Sequence, residues 1–149
     1  MSGREAVAEE LPGFVEPMLA RVGLPALPDV GGWSVELKWD GMRGQLGVAG
    51  PERWWLRSRT GRECREFPEL AEVAALLNRR RLVLDGELVC LGADGRPDFA
   101  ALRRRLVISG ETAVGRAAAC ARVTFVAFDL LHLDGLSTRG CPTASAASC

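Results

Sequence analysis

Glu36-Leu37-Lys38-Trp39-Asp40-Gly41-Met42-Arg43 is the stretch from which the rest of the chain is read. Lys38 is the only lysine in 149 residues; of 19 basic side chains, all the others are arginines. Arginine holds phosphates and carboxylates, but its guanidinium stays protonated and is a very poor nucleophile. A lysine amine can lose its proton, attack, and form a covalent intermediate. The stretch therefore raises covalent chemistry at Lys38, although one lysine in an arginine-biased chain, taken alone, reads as a surface residue. Alternation over residues 33–38 predicts a strand, with Glu36 and Lys38 on one face and Trp33, Val35 and Leu37 on the other. Asp40-Gly41 reads as a turn. Met42–Val48 reads as the returning strand, with Arg43 and Gln45 on a common face.

Downstream, Gly50-Pro51 breaks the chain, and Trp54–Ser58 is a further strand closed by Thr60-Gly61. Residues 67–77 carry Phe67, Leu70, Ala71, Ala74 and Leu77 at the spacing of one helical face. Residues 82–91 form an apolar strand interrupted by Asp85-Gly86-Glu87, and Ala93-Asp94-Gly95 is a hairpin-type turn. Asp98 is placed to cap a helix over Phe99–Leu106. Glu111–Cys120 reads as a weakly patterned helix, and residues 123–131 as a strand ending before a second Asp-Gly turn at Asp134-Gly135. Upstream, residues 11–20 read as an extended segment pinned by Phe14, Val15, Met18 and Leu19, and a Pro- and Gly-bearing loop follows. Residues 1–10 are a flexible start, residues 11–136 one folded unit, and residues 137–149 an irregular tail without periodicity. The sum is an α+β domain with antiparallel strands and about three helices.

A hydrophobic content of 48% and a charged content of 26% are ordinary for a globular chain, and 149 residues bury a real core. Zero net charge gives no global attraction to nucleic acid. The five cysteines are widely spaced, no CxxC pair occurs, and His132 is the sole histidine, so neither a zinc site nor a disulfide framework is expected. Cys90 and Cys120 sit among apolar residues and are expected to be buried. No run is long and apolar enough for a membrane span, and no signal peptide is apparent.

Charges interrupt strands that otherwise carry Val, Leu and Trp. Such charges are costly unless paired or facing a cleft. One cross-strand pair would be unremarkable. Several acids and arginines around one lysine suit a phosphate-handling cleft. A triphosphate calls for guanidinium forks and a metal, a ribose for a carboxylate, and a base for an aromatic face. An amine at the reference pKa of ~10.4 is neutral in only about one molecule in a thousand near pH 7.4, so a lysine nucleophile needs cationic neighbours.

Lys38-Trp39-Asp40-Gly41-Met42-Arg43 resembles the KxDGxR nucleotidyl-transfer motif of ATP-dependent DNA ligases and of their relatives, the RNA ligases and capping enzymes. Arg57-Ser58-Arg59-Thr60-Gly61 is similar to the ligase RSRTG segment, Leu84-Asp85-Gly86-Glu87-Leu88 to the DGEL motif, and residues 125–131, with Phe128-Asp129-Leu130-Leu131, to the FDLL motif. Pro17-Met18-Leu19-Ala20 and residues 98–102 resemble bacterial ligases linked to end joining. The joint order makes the match specific over residues 11–136. The resemblance implies an antiparallel-sheet, ATP-grasp-like nucleotidyltransferase domain. It implies Lys38 as the AMP acceptor and Glu36 against adenine. Arg43 and Arg59 would contact ribose or phosphates, Glu87 the ribose or a metal, and Phe128 would stack on the base. Asp85 and Asp129 read as turn or support residues, and His132 as a surface residue. ATP, Mg²⁺ or Mn²⁺, nicked or broken DNA, end-joining repair partners and the bacterial cytosol follow as expectations.

The family carries two further motifs after FDLL, the last supplying lysines to the triphosphate, and an oligonucleotide-binding domain beyond them. None is present in these 149 residues, so the reading is of a C-terminally truncated adenylation domain. Nick sealing is not expected of it alone, and self-adenylation is expected to be impaired or absent. An RNA ligase, a capping-type transferase, and a non-catalytic nucleotide- or DNA-binding remnant stand as alternatives.

Overall fold

The computed structural model describes residues 11–19, 36–77 and 79–140. Five strands form one antiparallel sheet in the order β2-β1-β3-β4-β5. The strands are β1 (Met42–Val48), β2 (Trp54–Ser58), β3 (Leu82–Cys90), β4 (Val123–Leu133) and β5 (Leu136–Ser137). The helices are α1 (Leu70–Leu76), α2 (Phe99–Leu106) and α3 (Glu111–Cys120). The α+β expectation holds.

Alternation along the strands explains the two faces of the sheet. Leu46 and Val48 of β1, Leu56 of β2, and Leu82, Leu88 and Cys90 of β3 are buried on one face, in one core with Phe67, Leu70, Ala74 and Leu102. Burial of each such Leu or Phe is worth about 1.5–3 kcal/mol, so the helix-covered face carries the stability. The other face holds Arg43, Gln45, Asp85 and Glu87, as the pairing of Arg43 with Glu87 and of Gln45 with Asp85 requires.

Helix α2 begins where expected, with the Asp98 side chain accepting a bond from the Ala101 N–H at 2.8 Å. Helix α1 is shorter than its pattern suggests. Leu70, Ala71 and Glu72 donate to carbonyls three positions back, so the expected first turn at residues 67–69 is a tight turn leading into α1 rather than α-helix. Phe67 is nonetheless in the core.

Several expectations are corrected. Residues 33–35 lie outside the described residues, and residues 36–40 form no strand. β3 runs unbroken through Asp85-Gly86-Glu87, because the acids face away from the core and the glycine meets β4 closely. The segment 11–19 is held chiefly by polar bonds, since Met18 and Leu19 are largely exposed. Cys90 is buried, whereas Cys120, near the end of α3, is exposed. Asp134 and Gly135 both have positive φ and form a two-residue hairpin. The chain after it is partly ordered: Leu136–Ser137 pairs with β4, and Thr138 is buried, bonding to the Leu130 and Leu131 carbonyls. His132 is half-buried and accepts a bond from the Gly135 N–H. The expected flexible start at 1–10 and most of the irregular tail lie outside the described residues.

Candidate active site

The polar face of the sheet begins with β1. Arg43 and Gln45 project from it toward Asp85 and Glu87 of β3. Asp85 is buried, and both its oxygens accept from Arg43, Oδ1 from Nε at 3.2 Å and Oδ2 from Nη2 at 2.9 Å. This fork is the strong, directional form of a carboxylate–guanidinium pair. The bond to Asp85 raises the Arg43 pKa against the opposing effect of burial. A third bond runs from Arg43 Nη1 to the Met18 carbonyl at 2.7 Å. The guanidinium also lies 5.5 Å from the centroid of the Phe128 ring, within cation–π range.

Phe128 reaches that position through an irregularity in β4. Gly86 pairs with Ala127 and Asp85 with Asp129, which leaves Phe128 without an opposite residue. An extra residue of this kind bends a strand and re-aims a side chain. Asp129 is exposed and accepts from its own neighbour, the Leu130 N–H. It bonds locally and adds negative charge near Arg43, whereas Asp85 holds the Arg43 guanidinium directly.

Glu87 sits beside the entry to β1. Burial raises its carboxyl above the ordinary value; a bond from the Gly41 N–H and the charges of Arg43 and Lys38 pull the other way. Gly41 is required by close approach: a methyl built on it would run into the Leu88 carbonyl oxygen and crowd Glu87. On the other side, Ser58 and Thr60 hydroxyls share a bond at 3.1 Å and Gly61 takes positive φ, which turns the chain after β2. Arg59, at this turn, donates its backbone N–H to the Arg43 carbonyl at 3.1 Å.

These elements enclose an open cleft of about 900 Å³. Lys38, Glu36, Arg43, Arg59, Glu87 and Phe128 all line it, so the structure gathers every candidate named from the sequence. Leu19, Leu37 and Trp39 line it too and were not singled out. Nor were Asp85 and Gln45 read as site residues. The signal was present, because both share strand parity with the charged candidates. A second hollow of about 840 Å³, between residues 62–68 and the α2–α3 connection, holds none of the candidates. Its Arg62 and Arg65 are paired with Glu66 and Glu63. The smaller of the two is therefore not the better candidate for chemistry.

Residues 17–143 match the family described as ATP dependent DNA ligase domain. The chain is 40% identical over 129 residues to the multifunctional non-homologous end joining protein LigD of Mycolicibacterium smegmatis, covering 81% of this chain and 14% of that protein. It is 42% identical over 126 residues to a probable DNA ligase of Streptomyces griseus, covering 81% of this chain and 24% of that one. The ligase domain of M. tuberculosis LigD matches with a TM-score of 0.61 at 35% identity, over 76% of this chain and 34% of that domain. A mycobacterial DNA ligase D complexed with ATP and MES matches at 0.62, with the same identity and coverage. The chain thus spans between a seventh and a quarter of these two curated relatives.

Proposed function

Because the chain belongs to the ATP-dependent DNA ligase domain family, we propose that its cleft binds ATP and that Lys38 accepts the AMP. The observation that carries this reading is the convergence of Lys38, two arginines, two glutamates and Phe128 on one cleft. In the proposed step the neutral Lys38 Nζ attacks the α-phosphorus in line. The N–P bond forms, the bond from that phosphorus to the bridging oxygen breaks, pyrophosphate leaves, and the nitrogen gives up its proton to solvent. Arg43 and Arg59 hold ribose or phosphate oxygens through guanidinium donors. Glu87 accepts from ribose hydroxyls, Glu36 lies against the adenine, and Phe128 offers its face to the base.

A divalent ion fits this set. Mg²⁺ or Mn²⁺ is ordinarily bound by one or two carboxylates together with substrate phosphates, and Glu87 keeps acceptor capacity beyond its bond from Gly41. Among the described residues no cluster of three or more acids, histidines or cysteines is placed to hold a metal. When bound, the ion would neutralise phosphate charge.

For the complete ligase domain we propose the two later steps on nicked or broken DNA. The AMP passes to a 5′-phosphate, releasing the lysine, and a 3′-hydroxyl then attacks that phosphate and expels AMP. Sealing is not proposed for these 149 residues by themselves. Similarity to non-homologous end joining LigD proteins supports an end-joining setting, and repair partners and the bacterial cytosol are proposed with it. No helix among the described residues is long and apolar enough to cross a membrane.

Incubation with ATP labelled at the α-phosphate and with Mg²⁺, followed by a denaturing gel, tests the reading. Label should stay on the protein through the gel, and excess unlabelled ATP present during the incubation should suppress labelling while GTP does not. Competition by GTP equal to that by ATP would favour a capping-type transferase, and label lost on denaturation would contradict covalent transfer.

A further inference from the structure

Gln45 is only 1% exposed in the middle of β1, yet both ends of its amide are used, and on a single residue. Its Oε1 accepts from the Val15 N–H at 3.1 Å, and its Nε2 donates to the Val15 carbonyl at 2.6 Å. The side chain thus does for residues 11–19 what a neighbouring strand would do, without reading their side chains. Apolar anchoring of this strap is weak at its far end, where Met18 is 87% and Leu19 62% exposed. From Val15 to Met18 an extended chain covers only about 10 Å, so the clamp sets where the Met18 carbonyl lies. That carbonyl holds Arg43 Nη1. Asp85 takes Nε and one Nη2 hydrogen. Of the five guanidinium hydrogens, two remain, one on each terminal nitrogen. The strap also touches the rim twice more: the Phe14 ring lies against Gly61, in the turn that carries Arg59, and Leu19 lines the cleft.

We propose that Gln45 is a positioning residue, which clamps residues 11–19 so that the Met18 carbonyl fixes Arg43 with its two remaining N–H groups aimed at a bound nucleotide. The inference rests on the ATP-site reading above. Its test is a double-mutant cycle on binding of α,β-methylene-ATP, an analogue that cannot transfer AMP, with amide hydrogen exchange read at Val15. Gln45→Met keeps the volume and removes both bonds. It should expose the Val15 amide to exchange and weaken analogue binding about five- to tenfold, the scale of one hydrogen bond. In an Arg43→Met background the same change should cost less than about twofold, because the pathway is already cut.

Val15→Pro deletes the strap's N–H and leaves every sheet side chain in place. It should weaken the analogue as Gln45→Met does, and it decides the matter alone if Gln45→Met unfolds. Released Val15 with unchanged affinity would overturn the inference, as would losses that multiply in the cycle. If the unaltered protein does not bind the analogue, the ATP-site reading fails and this proposal falls with it. Binding by the unaltered protein with an additive cycle removes the strap alone.

Discussion

Asp85 and Asp129 are two aspartates with opposite prospects. Asp85 is buried and forked to Arg43, while Asp129 is exposed and bonds only to the next residue. Asp85→Asn keeps the shape but removes the charge that orients the guanidinium. It is expected to slow AMP labelling of the protein about tenfold, the scale of a charged hydrogen bond, with Asp129→Asn near the unaltered rate. Glu87 gives a pH-dependent prediction. Its folded-state pKa is raised, first by burial, so its contribution to stability is fully present below the unfolded value and is lost as pH rises through the folded one. Glu87→Gln, which cannot ionise, should therefore melt higher than the unaltered protein at neutral pH. The difference should close on acidification, while labelling falls at every pH. A functional group held at some cost to stability behaves in this way. At this scale the sequence was most legible. Lys38, Arg43 and Glu87 stand out as charges within strand-like or motif patterns, whereas Gln45 offers only its strand parity with Arg43, and an uncharged amide announces no partner.

The elements were legible where alternation or helical spacing is strong. Met42–Val48, Trp54–Ser58 and Phe99–Leu106 stand where the residues predict them. Alternation misled at residues 36–38, where Glu36, Leu37 and Lys38 all line the cleft instead of dividing between faces. At Asp85-Gly86-Glu87 the overall apolar character misled instead: the acids read as an interruption, yet they alternate onto the cleft face, and a strand open on one face tolerates acids that a doubly covered strand would not. The Asp40-Gly41 pair reads as a turn, but Gly41 is needed at the entry to β1 because β3 passes too close for a side chain. Gly41→Ala must displace the Leu88 carbonyl or β1 itself. The expected cost is about 1–3 kcal/mol, measured by urea unfolding, with a larger fractional loss of labelling because the Gly41 N–H serves Glu87.

Across the whole molecule, the segment before α1, helix α2 and the start of β4 meet at one buried ion pair. Arg105 donates to both oxygens of Glu69, at 2.7 and 3.1 Å, and to the Glu66 and Ala121 carbonyls; Glu69 also accepts from the Val123 N–H. Burial alone would raise the Glu69 carboxyl, but the Arg105 bond and the Val123 N–H bring it below the ordinary value. Its stabilising effect is thus present above the ordinary glutamate range and is lost as pH falls through the lower folded value. Glu69→Gln strands a buried guanidinium and should cost about 3–5 kcal/mol near neutral pH, a gap that narrows in an acid titration of urea stability. This lock was not legible, because Arg105 stands in a run of three arginines that reads as a solvated helix end. The ligase resemblance, by contrast, was legible from motif order, and the family match bears it out. The proposed chemistry of the cleft turns on Lys38 as the AMP acceptor. The most direct measurement is peptide mass mapping after incubation with ATP and Mg²⁺, alongside Lys38→Ala. An AMP adduct is expected on the peptide carrying Lys38, even if slow to accumulate, and none on the variant. The same outcome from both proteins, adduct elsewhere or no adduct at all, would contradict that assignment.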